Sequence, residues 1–167
     1  MAKAVSPPKV LAAQTKGPDQ PATTWGKAEK IADHTYRTNV GQDPVLGSTE
    51  EIFQALNAYR KNHGRQELKK DDKLCGLATT RAVQQKDNLD GHQGFKDYFA
   101  DQSHWQELGV TGIGENSSWN YTLSGVHLIE WVFDADDEHR NNQLNPDWNL
   151  GCVGIAGTTV DVIFGKR

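Results

Sequence analysis

From Ser48 onward the apolar positions of this chain recur first at helical and then at strand spacing. Ser48-Thr49-Glu50-Glu51 forms a capping box, in which the serine oxygen takes a free helix N–H and Glu51 reaches back. Ile52, Leu56 and Tyr59 follow at i, i+4 and i+7, so a first helix is predicted to about His63, stopping before Gly64. Asp71 or Asp72 caps a second helix whose narrow apolar stripe is Leu74, Leu77, Ala78 and Ala82, ending near Asp90-Gly91. Phe95, Tyr98, Phe99, Trp105 and Leu108 suggest a third, broken helical segment. Glycines at 109, 112 and 114 lead into a short strand carrying Glu115 and Asn116. Ser124 caps a further helix through Leu128, Trp131, Val132 and Ala135, and Asn145-Pro146-Asp147 makes a turn. Two closing strands, 150–156 and 159–164, are joined by Gly157-Thr158. Helices first, then helices mixed with strands and a terminal hairpin, give an α+β fold with an antiparallel sheet rather than a βαβ repeat.

The segment before Ser48 differs in kind. Residues 1–24 mix Pro, Gly, Thr, Gln and Lys without a period and read as a disordered or extended linker. Residues 25–40 offer one short helix around Ala28, Ile31 and Ala32, and Gly41, Pro44 and Gly47 then punctuate the chain. Residues 1–47 hold five of the six prolines. The organisation expected is therefore a Pro-rich N-terminal arm, partly disordered, over 1–47, and a domain over 48–167.

Composition sharpens this division. Of the 167 residues 36% are hydrophobic, the mean hydropathy is −0.70, and the net charge is −4. The arm carries six basic and four acidic residues, hence +2, which leaves −6 on the domain. A mildly acidic chain gains nothing from releasing phosphate counterions, which argues against nucleic acid as the main partner. No stretch approaches the roughly 20 apolar residues of a membrane helix. The N-terminus lacks the apolar core of a signal peptide, although Met1-Ala2 is compatible with a start that replaces a removed signal. Cys75 and Cys152 include no C-x₂-C pair, so a zinc ribbon is excluded; one disulfide and two buried thiols both stay open.

Three polar clusters carry candidate chemistry: Asp90-Gly91-His92-Gln93-Gly94, Gly114-Glu115-Asn116, and the run from Trp131 through Asp134, Asp136, Asp137, Glu138 and His139 to Asn142. Their spacing alone implies no site. Read singly, His92 and His139 are ordinary imidazoles and Glu115 a turn carboxylate. His34, His63, His104 and His127 read as structural or exposed, with His127 one turn before Trp131 and placed to pack on it. The acidic run lacks the spaced oxygens and glycine of an EF-hand and reads as a solvated helix end. Trp105, Trp119 and Trp148 serve either a core or a lipid- or glycan-binding groove. No G-x-S-x-G occurs, and Ser117-Ser118 is thin evidence of a nucleophile.

Taken in order, these motifs resemble the CAP superfamily of cysteine-rich secretory, antigen 5 and pathogenesis-related proteins, in particular its bacterial SCP-like branch. Leu56-Asn57-Ala58-Tyr59-Arg60 matches the opening helix, Leu68 through Leu74 to Ala78 the second, and Gly114-Glu115-Asn116 the family's "GEN". Trp131 followed by His139-Arg140-Asn141-Asn142 matches "W…HR-x-N", and Leu150 to Gly154 matches a closing strand. The resemblance covers about residues 48–165. It implies an α-β-α sandwich with a small antiparallel sheet between helices, and a cleft in which two histidines and two acids can hold a divalent metal.

Carried onto this chain, that resemblance makes His92 and His139 the metal ligands and Glu115 a cleft acid. The second acid falls on Asp134, three residues after Trp131, with Glu138 as a substitute. Two neutral imidazoles suit zinc or another borderline divalent ion, weakly bound because the shell is incomplete. The resemblance also makes a secreted, periplasmic or cell-surface location the expectation, and with it a Cys75–Cys152 disulfide. Three functions compete. The first is a binding module for a small apolar ligand such as a lipid, a cell-wall component or a protein partner. The second is a metal-assisted hydrolase of peptides or phosphoesters, and the third a surface-displayed scaffold.

Overall fold

The computed structural model describes residues 24–167. The linker expected over 1–24 lies outside the described residues except for Thr24. At 25–40 the expected helix is absent: the chain forms a two-stranded antiparallel hairpin, β1 (Ala28–Ala32) and β2 (Thr35–Thr38), with Ala28 opposite Thr38. Asp33 and His34 make its turn, and His34 sits in the left-handed region at φ 50°. The apolar spacing that suggested a helix is outweighed by contacts from elsewhere in the fold, described below.

The body follows the capping signals. Helix α1 (Thr49–Asn62) starts at Ser48, whose side chain accepts from the Glu51 N–H at 3.2 Å, while the Glu51 carboxylate takes the Gly125 N–H at 2.9 Å. After the two-residue strand β3 (Lys69–Lys70), Asp71 caps α2 (Asp72–Asp87) by accepting from Lys73 and Leu74 N–H. Two short helices, α3 (Gln93–Ala100) and α4 (Gln102–Leu108), precede strand β4 (Gly112–Ser118). Helix α5 (Gly125–His127) continues as a π-helical turn over Leu128–Phe133, and α6 (Asp137–Gln143) leads to β5 (Leu150–Ala156) and β6 (Thr159–Lys166).

The main sheet has the order β3-β5-β6-β4, antiparallel except that β3 lies parallel to β5. Strand alternation sends Val160, Val162 and Phe164 of β6 to the side of α1, where Ile52, Leu56, Leu128 and Phe133 close one core. Ile163 points to the other side, with Leu74, Ala78 and Cys152. Helices on both faces make this an α-β-α sandwich. Helix α2 lies so close to the sheet that a Cβ on Gly154 would stand 2.2 Å from the Ala78 carbonyl carbon, so only glycine fits there. The Cys75–Cys152 disulfide, with Cα atoms 4.9 Å apart, joins α2 to β5 and resolves the two open readings of these cysteines.

Arg60 closes the body at one end. It is fully buried and faces carbonyl oxygens: Nε donates to Gln66, Nη1 to Gln143 and Asn145, and Nη2 to Trp148. The Tyr-Arg of the opening helix thus gathers the turn between α6 and β5, because carbonyls in a dry interior need donors.

Candidate functional site

The inward stripe of α2 does not end with its apolar residues. Leu74, Leu77 and Ala78 are continued in phase by Arg81 and Gln85, both buried. Arg81 donates from Nε to Glu115 on β4 at 2.7 Å and from Nη2 to Asp90 Oδ1 at 3.0 Å. Asp90 also accepts the Gly94 N–H, and a Cβ on Gly94 would stand 2.5 Å from the Arg81 guanidinium. The glycine-flanked His92 is the outcome of this packing: Arg81 and Asp90 fix the start of α3, and His92 takes a left-handed conformation at φ 68°.

Nδ1 of His92 donates to Oε2 of Glu115 at 2.6 Å. Burial pushes the Glu115 carboxyl upward, but the hydrogen bonds and charges of His92 and Arg81 outweigh it and hold the group below its ordinary value. A carboxylate only accepts, so the proton lies on Nδ1 and Nε2 is the open nitrogen. His139, on α6, is arranged alike: its Nδ1 donates to Asp136 Oδ2 at 2.7 Å, and its backbone N–H to Oδ1 of the same residue at 2.9 Å. The ring centroids of His92 and His139 lie 6.1 Å apart.

The rest of "GEN" and "HR-x-N" clasps β4 to α6. Asn116 donates to the His139 carbonyl, and Asn142 donates to the Glu115 carbonyl and to Asn116 Oδ1, all at 2.9–3.0 Å. Gly114 makes this approach possible, since a Cβ there would meet Asn142 at 2.6 Å.

The structure therefore brings together His92, His139 and Glu115, and separates the other two acids. Asp134 accepts from the Tyr59 hydroxyl at 2.5 Å and lies 4.0 Å from Arg140, away from both histidines. Its place is taken by Asp136, five residues after Trp131, because a cap three residues before His139 presents one oxygen to the backbone and one to the ring. The acidic run is thus not simply a solvated helix end: Asp136 is buried. Glu138 projects to the hairpin instead, accepting from His34 at 2.9 Å and Tyr36 at 2.7 Å. Those two hydrogen bonds hold its carboxyl below the ordinary range.

The histidines open into a cleft of about 380 Å³ between the hairpin and the sheet, with Ile31, Leu89 and Trp119 among its lining residues. Trp119 is exposed, whereas Trp148 is buried and Trp105 packs on Phe99. His127 stacks on Trp131 at 3.4 Å, as its spacing predicts. The hairpin closes one side through Trp25 edge-on to Trp131, and through the Tyr121 hydroxyl, which accepts the Thr38 N–H and donates to the Thr38 carbonyl.

Sequence reasoning missed Arg81, Asp136 and Asp161. Arg81 was signalled by a charged residue in phase with an apolar stripe, and Asp136 by its position three before a histidine. Asp161, on β6, had no signal beyond strand alternation. It is fully buried, accepts from Ser117 at 2.7 Å and Gln85 at 2.9 Å, and its carboxyl is pushed well above its ordinary value, first by burial and then by the charge of Glu115.

The family model for CAP, the cysteine-rich secretory protein family, matches residues 53–160. The chain belongs to the CAP family. Its solved relatives include a cysteine-rich secretory protein of Staphylococcus aureus, 16% identical with a TM-score of 0.58. They also include an extracellular SCP-domain protein of Bacillus anthracis, 21% identical at 0.57, and an outer surface protein of Borrelia burgdorferi, 16% identical at 0.56. Each comparison covers 71% of this chain, and 38%, 40% and 91% of the respective relative. The chain thus spans well under half of the first two, and these likenesses establish the CAP fold alone. No curated protein matches the chain. The family match begins inside α1, so the β1–β2 hairpin lies outside it.

Proposed function

We propose that this CAP domain is a secreted binding module whose cleft takes a divalent cation weakly beside a small apolar ligand. The observation that carries the metal reading is the pair of histidines on one cleft, each with Nδ1 tied to a buried carboxylate, Glu115 or Asp136. Carboxylates on Nδ1 orient the rings and raise the basicity of Nε2, the pattern of metal-binding histidines. Zinc bonds nitrogen at about 2.0–2.1 Å, so two imidazoles on one tetrahedral ion have ring centres roughly 5 Å apart. The observed 6.1 Å needs about 1 Å of closure, within reach of side-chain rotation. Two nitrogens leave the rest of the shell to water, hence the weak binding.

The apolar-ligand reading is supported by the cavity's size, that of small-molecule pockets, and by the exposed Ile31, Leu89 and Trp119 around it. Secretion is supported by the disulfide, a bond of oxidising compartments. Hydrolysis is disfavoured because both Glu115 oxygens are engaged by Arg81 and His92, which leaves it an orienting group rather than a base.

Calorimetry with Zn²⁺ tests the metal reading: wild type binds one ion, and His92→Ala combined with His139→Ala abolishes it. Equal heats from both proteins would refute it. A fluorescent long-chain fatty acid tests the ligand: saturable binding, weakened by Trp119→Asp, is the expected result, and no saturation counts against an apolar occupant.

A further inference from the structure

One titratable side chain that lines the cleft has no partner among the described residues. The others are tied: His34 and Tyr36 to Glu138, His92 to Glu115, and His139 to Asp136, whose two oxygens both accept from that histidine. Arg37, on β2, lines the same cavity and is exposed, yet it makes no hydrogen bond or ion pair with any described residue. Glu29 stands opposite it in the hairpin register, but no ion pair joins the two and Glu29 does not line the cavity.

Strand alternation sets the direction of Arg37. Lys30 and Tyr36, a cross-strand pair, both bear on Glu138 of α6. Thr35 and Arg37 therefore lie on the other face of β2. That face looks onto the loop after α2: a Cβ on Gly91 would stand 3.4 Å from Thr35 Oγ1, and Leu89 of the same loop lines the cavity. Ile31, Leu89 and Trp119, all exposed, give the cavity an apolar rim.

We propose that Arg37 selects the head group of the ligand, so that the cleft takes an amphipathic anion: an apolar chain ending in a carboxylate or a phosphate. The proposal deepens the apolar-ligand reading and rests on it, but not on the metal. The planar guanidinium offers paired N–H donors that match two oxygens of either head, and it stays charged at physiological pH. Beside an apolar rim such a pair is screened less than in open water. A cationic head finds no free carboxylate in the lining: among the described residues Asp136 is the one carboxylate there, and both of its oxygens are engaged. A neutral chain makes the same apolar contacts and forgoes the ion pair. Arg37 lies outside the span matched by the family model, so this selection belongs to the hairpin and not to the CAP body.

The test is calorimetry on the full chain, with EDTA present so that no metal holds the head group. Wild type, Arg37→Gln and Arg37→Glu are titrated with decanoate, decyl phosphate, decanol and decylammonium, each below its solubility or micelle limit. Wild type is expected to bind at least one of the two anions about tenfold more tightly than decanol, the gain of a charge-assisted hydrogen bond, with a Kd that weakens as salt rises. Arg37→Gln loses that advantage while its decanol affinity stays within about twofold, and Arg37→Glu turns the preference to decylammonium. The anion that Arg37→Gln weakens more identifies the head. Equal Kd for anions and decanol in wild type, or an anion preference kept in Arg37→Gln, overturns the role of Arg37 and, with decanol still bound, leaves the apolar-ligand reading standing. No binding of any of the four by wild type overturns both.

Discussion

Arg81 and Tyr36 each hold a carboxylate that holds a cleft histidine, but in opposite settings. Arg81 and Glu115 have side chains only 2% and 1% exposed, and the arginine, glutamate and His92 form a dry network backed by α2 and the sheet. Tyr36, Glu138 and His34 form the matching network on the hairpin, where His34 and Glu138 are 39% and 43% exposed. Glu138 pushes the Tyr36 phenol up to about 12, yet water screens most of what that link contributes to stability. One wall of the cleft is therefore fixed with the core, and the other is held largely by exposed, water-screened contacts. Local opening is expected where buried apolar contacts are few.

The largest test of this contrast is Arg81→Ala. Removing one partner of a buried ion pair leaves Glu115 and Asp90 as uncompensated charges, and about 3–5 kcal/mol of global stability should go. Urea unfolding measures it; a loss under 1 kcal/mol would mean that the network is wetter than its burial implies. Next is Cys75→Ser combined with Cys152→Ser, which reopens a 77-residue separation and should cost about 4 kcal/mol. Its effect should appear in the thermal midpoint of the body and not in selective exchange of hairpin amides.

A smaller, pH-graded effect is expected of Asp161→Asn. The folded-state pKa of Asp161 is raised, so its contribution is whole below the unfolded value of about 3.9 and is lost as pH rises through the folded value. The variant should melt above wild type at pH 8 and converge with it near pH 4, since the amide replaces an Oδ1 that has no donor among the described residues. A constant offset at both pH values would show that Asp161 does not titrate in this range. Smallest is Tyr121→Phe, which removes both bonds to Thr38. The global unfolding free energy should fall by less than about 1 kcal/mol, while hydrogen exchange at β1 and β2 speeds up. Equal acceleration at β5 and β6 would erase the distinction between the two walls.

The same contrast decided what was legible in the sequence. The body announces itself locally: Ser48 and Asp71 cap helices where their spacing predicts, and β5 begins and ends at the predicted residues. His92, His139 and Glu115 were findable because each sits in a motif. The hairpin was not, since Ala28, Ile31 and Ala32 read equally as a helical stripe, and what selects a strand pair is contact with Trp131, Tyr121 and Glu138, 83 residues or more away along the chain. Asp136 was passed over for Asp134 because position after a tryptophan was counted where cap geometry decides. Arg81 and Asp161 are polar residues inside a buried layer, and a pattern that sorts apolar inward and polar outward cannot see them.

The disulfide has one more consequence, for the chain as a cut object. Arg81, His92, Glu115, Asp136 and His139 all lie between Cys75 and Cys152. A protease that nicks any loop of that interval, such as the one after β4 that carries exposed Trp119, produces two pieces that stay covalently joined with every one of those side chains still attached. His34 and Tyr36, with Ile31, sit outside the ring, so a single cut between the hairpin and α1 would sever them while the enclosed residues remain in one closed circuit.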